Sequence, residues 1–241
     1  MPRIIDGFSD SIGWTARGLA SKRRSKRKTF LSFCAGELEL RQMLATFTVT
    51  STSDSGAGSL RQILADASGV DTSLPHTINF NTSAGGAFAN TNTITLTTGV
   101  LNISGANLTD LTINGPGESL LTISGNNSSG IFQVAAPSTL NNLTLANGTG
   151  AFGTSPNAEG GAIYCNSPIT VNHVSITNST ADYGRGIYID GALASVFASS
   201  IENSICIANS GCLTLTGGRM GEPVVATSAN QITVNDYNHS L

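Results

Sequence analysis

The chain has 241 residues, of which 11% are charged and 6% aromatic, and Ser, Thr, Asn and Gly separate isolated Val, Ile and Leu. Eight of its 12 Lys and Arg residues fall within the first 28 positions; beyond Arg41 only Arg61, Arg185 and Arg219 face 11 Asp and Glu, a formal balance of −8. That acidity argues against a polyanion partner such as nucleic acid for the body, and no apolar stretch reaches the length of a transmembrane helix.

Residues 1–43 read as a basic leader or disordered head. The run "SKRRSKRK" at 21–28 has the composition of a solvated charge block or translocation-related leader. "TFLSFCAG" after it is short and polar for a secretory signal. A helix over 37–44 is too short to be stable alone.

Residues 44–90 form the next unit, an N-terminal cap of strand, turn, helix and strand. "TFTVTST" alternates Phe47 and Val49 with Thr, as a half-buried strand does. "SDSGAG" supplies turn residues, and Ser59 and Gln62 have the spacing of a capping box. Leu60, Ile63 and Leu64 then recur at helical spacing. A strand, a turn and a short amphipathic helix are expected.

Between 91 and 216 short apolar-alternating pieces are separated by Asn, Gly and Ser. "LTI" or "LTL" recurs at 111–113, 121–123 and 143–145, and "VSITN" occupies 174–178. This is imperfect repetition with a solenoid-like period. The fold expected is all-β: a right-handed, single-stranded parallel β-helix of coils of roughly 20–25 residues, closed by a short N-terminal capping helix. Asn and Gly accept left-handed backbone angles at the corners, and stacked Asn side chains can bond along the axis. A β-sandwich is the structural alternative. After Gly217 the repeat decays, so 217–241 read as a degenerate or truncated C-terminal segment.

Two stretches carry a family resemblance. "LELRQMLATFTVTSTSDSGAGSLRQIL" resembles the junction in large bacterial exported and surface proteins where an LEPR-XLL segment precedes a CSLREAI-type, or GSLRQ, motif. Glu39, Arg41 and Leu44 match the first motif, with Leu40 where Pro is usual, and Ser59 to Ile63 match the second. "GNNSSGIFQV", "LNNLTLANGTG" and "EGGAIYCNSPITVNHVSITNSTADYGRGIYID" are similar to repeats of pectate-lyase-like and polymorphic outer-membrane proteins. Gly160, Gly161, Ala162 and Ile163 fit a "GGAI" turn, and Gly184, Gly186 and Ile187 fit a second copy interrupted by Arg185. The resemblance implies a secreted or surface-displayed bacterial β-helix; with the repeats and the sparse charge, the function expected is non-enzymatic, a structural spacer or adhesin-like surface. Its partners would be cell-surface glycans or other surface proteins.

The same fold hosts polysaccharide lyases and glycoside hydrolases, so an enzyme or its inactive remnant is the alternative. Glycoside hydrolysis needs two carboxylates across one site, and a lyase needs a base beside a neutralised uronate. Asp110, Glu118, Glu159, Asp182, Asp190 and Glu202 stand mostly beside turns, with no Asp-x-Asp cluster, and Arg185 is the one base among them. The enzyme reading predicts an acidic groove near Glu159, Asp182 and Asp190; a solvated turn with an ion pair is the plainer reading of Asp182, Arg185 and Asp190. His76, His173 and His239 are isolated, with His173 read as an outward strand residue. "GPG" at 115–117 and "GTG" at 148–150 are turns, since neither has the lysine of a phosphate loop. Cys34, Cys165, Cys206 and Cys212 lack Cys-x-x-Cys spacing. Cys206 and Cys212 fit either a local bridge or free thiols. No catalytic, cofactor or metal residue is assigned. The sequons at Asn102, Asn107, Asn126, Asn142 and Asn178 follow from composition.

Overall fold

In the computed structural model the chain divides into two compact units, Met1–Arg41 and Gln42–Leu241. The structure describes residues 45–70, 75–105, 108–150, 158–203, 205–209, 211–226, 230–235 and 238–239, all in the second unit. The basic head, the helix at 37–44, the LEPR-XLL-like residues, Cys34, Asn107 and the side chain of His239 lie outside what is described.

The body is nearly all β. It opens with β1 (Ala45–Val49), a turn and α1 (Leu60–Gly69), then β2 (His76–Phe80), β3 (Asn92–Thr95) and β4 (Leu101–Ile103). There follow β5 (Leu111–Asn114), β6 (Leu121–Ser124), β7 (Phe132–Val134), β8 (Ser138–Ala146), β9 (Ile163–Cys165) and β10 (Ile169–Thr177). Then come β11 (Ile187–Asp190), β12 (Leu193–Ile201), β13 (Ile205–Ala208) and β14 (Cys212–Met220). β15 (Val224–Ala226), β16 (Gln231–Asn235) and β17 (Asn238–His239) complete the series.

Two sheets organise these strands. The larger runs β1-β2-β5-β8-β10-β12-β14-β16, with β3, β6 and β17 pairing alongside, and the smaller runs β15-β13-β11-β9-β7-β4. Every described strand pair is parallel. Parallel pairs whose connections run mostly through other strands rather than helices are compatible with a parallel β-helix or solenoid, and the antiparallel ladders of a sandwich do not occur among the described strands.

Alternation explains the core. Ile78, Ile113, Leu140, Val171, Val196 and Leu215 align rung on rung, each almost wholly buried. On the smaller sheet Ile103, Val134, Cys165, Ile189 and Ile207 do the same, and both columns belong to one apolar cluster. Each buried aliphatic side chain contributes about 1.5–3 kcal/mol, while ordering a residue costs about 1–2 kcal/mol, so a rung is stable only against its neighbours.

The repeat is less regular than its tokens. "LTI" at 121–123, "LTL" at 143–145 and "VSI" at 174–176 are successive rungs, whereas "LTI" at 111–113 pairs with Thr139 and Leu140 in the first half of β8. Successive rungs of the larger sheet lie 31, 35, 27, 31, 25, 19 and 19 positions apart, so four spacings exceed the expected 20–25 and the last two fall just below it. Loop insertions between rungs account for the excess, since they leave the strand register intact.

A left-handed residue sits inside each long strand: Asn142, His173, Ala198 and Gly217 in β8, β10, β12 and β14. Each separates two paired halves, so the bend is a shared feature of the stack and Asn or Gly accommodates it most easily. His173 is exposed there, its Nδ1 2.9 Å from Asn172 Oδ1, and is an outward residue as expected.

α1 forms where expected. Ser59 is its N-cap, and its Oγ accepts from the Gln62 N–H at 3.2 Å. Only half of the capping box closes: the Gln62 amide instead donates to Asp66 at 2.8 Å, and the Ser59 N–H donates to the Gly56 carbonyl. Leu60, Leu64 and Ala67 are buried in the common core, with Ile63 packed against it. The helix contacts β1 and β4, the first strands of the two sheets. Past Gly217 parallel pairing continues through β15, β16 and β17, and all five residues of β16 are exposed.

Candidate functional site

The acidic residues singled out in the sequence are spread along stacked turns. The Gly161 N–H donates to the Gly184 carbonyl and the Ile163 N–H to that of Gly186, which registers the "GGAI" copy on the "GRGI" copy. A Cβ on Gly160 or Gly184 would meet the carbonyl oxygen of Ile163 or Ile187 at 2.3 Å, the same close approach in both copies. Glu159 pairs in parallel with Tyr183 at the head of these turns. The Asp182 carboxylate accepts the Ala158 N–H at 2.9 Å. Arg185 pairs with Glu222 at 3.1 Å across exposed surface, a partner from a later coil. Asp110 lies before β5, and its carbonyl accepts the His76 N–H.

Asp190 meets aromatic residues that the sequence reading passed over. The residue directly after Ile163 and Ile187 in each copy alternates outward from the smaller sheet, so Tyr164 and Tyr188 stack with ring centres 5.6 Å apart and an interplanar angle of 14°. Tyr188, Cys206 and Ala208, with Tyr164 against them, form an apolar cluster separate from the core. The Tyr164 hydroxyl donates to Asp190 Oδ2 at 2.6 Å, and the Asn209 amide donates to Oδ1. The signal was present as a Tyr directly following Ile in both "GGAIY" and "GRGIY".

The electrostatics of this patch favour holding protons. Burial, then the hydrogen bond and negative charge of Asp190 and the charge of Glu159, raise the Tyr164 phenol far above its ordinary value. Burial and the charges of Glu159 and Asp190 push Tyr188 up to about 12. Burial, then Glu159, raises the Cys206 thiol, and burial raises that of Cys165. These groups stay neutral near pH 7, where general acid–base and thiolate chemistry require a pKa close to the working pH. Cys165, Cys206 and Cys212 are free, so the local bridge between Cys206 and Cys212 is not formed. Among the described residues no group of His, Cys, Asp and Glu is arranged to hold a metal ion.

The larger sheet presents a different surface. Opposite the buried Ile and Leu column runs an aligned row of hydroxyls, from Thr46 through Thr77, Thr112, Thr139, Thr170, Ser195 and Thr214 to Thr233. Two residues further along β2, β5, β8 and β10 lies a row of amides. The Asn114 amide donates to Asn79 at 3.1 Å, Asn141 to Asn114 at 2.9 Å and Asn172 to Asn141 at 3.2 Å. Neither row contains a charged side chain, and the rungs repeat at about 4.8 Å.

Near α1, Asp54 and Arg61 form the most heavily bonded polar pair. Asp54 Oδ2 accepts from the backbone N–H groups and hydroxyls of Thr97 and Thr98, at 2.7–3.1 Å, and Oδ1 from Arg61. Arg61 also donates to the carbonyls of Gly99 and Val100. Neither residue has a periodic signal that would have singled it out.

Comparison of the chain with protein-family models, characterised proteins and solved structures finds no match. None of the described helices is long and apolar enough to cross a membrane.

Proposed function

We propose that this chain is a right-handed, single-stranded parallel β-helix exported by a bacterium, displayed at its surface or secreted, where the coil stack is a stiff spacer and its outer face an adhesive surface. The reading rests on one observation above the rest: the uncharged hydroxyl row that runs in register over eight rungs of the larger sheet. Such a row supplies many weak, equivalent donors and acceptors, which suits repetitive glycans or neighbouring surface proteins better than a single small substrate.

The GSLRQ residues support an ordered head to the stack, because Ser59, Leu60 and Arg61 each have a structural task there: N-cap, buried contact and ion-pair partner. Stacked "GGAI" copies support the kinship to surface β-helices. Fractionation of the native host, with protease treatment of intact cells, tests the proposal. Recovery at the surface or in the medium is expected, and confinement to the cytosol overturns it.

A further inference from the structure

Beside the hydroxyl row of the larger sheet runs a second row on the same face. Pro137, Pro168 and Leu193 directly precede the aligned residues Ser138, Ile169 and Ala194, two positions before Thr139, Thr170 and Ser195. Between these rows lies an open groove of about 410 Å³ spanning three rungs. Leu193 is 60% exposed, the highest value among the exposed large hydrophobic residues. Two proline rings in line with it extend the apolar rail, and three hydroxyls face that rail across the groove.

The lining selects for chemistry. A ligand must offer C–H surface to one side and hydroxyls to the other, rung after rung, as the ring face and rim of a sugar do. Asp110 is the groove's single charged lining residue, and the body beyond Arg41 carries far more acid than base, so a polyuronate meets repulsion and no cation. The rung spacing of about 4.8 Å is close to the length of one hexose unit in an extended chain, so successive sugars meet successive rungs.

We propose that this groove binds an uncharged, extended polysaccharide laid along the stacking axis, its C–H faces over Pro137, Pro168 and Leu193 and its hydroxyls on Thr139, Thr170 and Ser195. The proposal rests on the adhesive-surface reading above and names its ligand.

Affinity electrophoresis of the full chain through gels carrying mixed-linkage β-glucan, xylan, galactomannan or polygalacturonate tests it. Retardation by at least one neutral polymer is expected, at least tenfold weaker in Leu193→Asp and in Thr170→Arg. Both positions face outward, so melting should be unchanged, and Glu222→Gln, remote from the groove, should bind as the parent does. Neutral-polymer binding that survives both groove variants overturns the groove and leaves the adhesive reading standing. Retardation confined to polygalacturonate, or by none of the four, overturns the proposed ligand, while the surface localisation is judged separately by fractionation.

Discussion

The Arg61 guanidinium lies 2.7 Å from the Asp54 carboxylate, tying the first turn of α1 to the "SDSG" turn that precedes it. Through the same two side chains α1 is joined to the segment of Thr97 to Val100, which no local sequence contact could reach.

This pair makes the head of the stack acid-sensitive. Burial alone would raise the Asp54 carboxyl, but hydrogen bonds from Thr98, Thr97 and Arg61 outweigh it and bring the pKa down from 3.8 to about 2. A depressed folded-state pKa stabilises above the unfolded value, and the contribution, about 2 kcal/mol, is lost as pH falls from about 4 to 2. Asp54→Asn should lower stability at pH 7 by about that amount and flatten this part of the profile. Chemical denaturation across the acid range measures it; an unchanged slope would refute the assignment.

The helix packs against the first strands of both sheets. Leu60 is 1% exposed and Ile63 packs against the same core. Replacing both with Asp buries charge or peels the helix away, exposing the first rung and its strand edge. Aggregation and a melting point lower by well over 10 °C are expected, about 4 kcal/mol or more of lost stability. Light scattering and calorimetry of the double variant decide the matter.

Close turn stacking predicts intolerance at Gly161. A Cβ there would lie 2.0 Å from the Arg185 carbonyl oxygen, a backbone atom that cannot swing away. Gly161→Ala should cost about 1–3 kcal/mol by displacing one turn from the next. Gly56→Ala tests strain without crowding, since its φ is +94° and nothing lies within 4 Å of the added carbon.

The amide ladder should show position dependence. Asn141 bonds to both Asn114 and Asn172, whereas Asn79 ends the run with a single partner. At about 1 kcal/mol per bond, Asn141→Ala should cost roughly twice as much as Asn79→Ala. Equal losses in urea unfolding would refute a contribution that scales with the number of ladder bonds.

Charge beside the stacked tyrosines should govern their ionisation. Asp190→Asn removes a negative charge that helps hold Tyr188 at about 12. Phenolate absorbance should then rise at lower pH than in the parent. A titration that does not move would assign the shift to burial and the charge of Glu159.

Strand identity was written locally. Alternation in "TFTV", the Asn and Gly corners and the Ser59 cap follow from side-chain direction and backbone preference within a few residues, and each appears in the structure at those positions. The two "GGAI"-type copies even carried Tyr164 and Tyr188 at matching places. Which rung lies on which was decided by tertiary structure. Thr139 meets Thr170 and Asp54 meets Thr98 across dozens of residues, because insertions of unequal length sit between rungs and only cross-strand hydrogen bonding and shared burial restore the register. The groove of prolines, Leu193 and hydroxyls exists only once those rungs are stacked, since no single coil contains more than one slice of it.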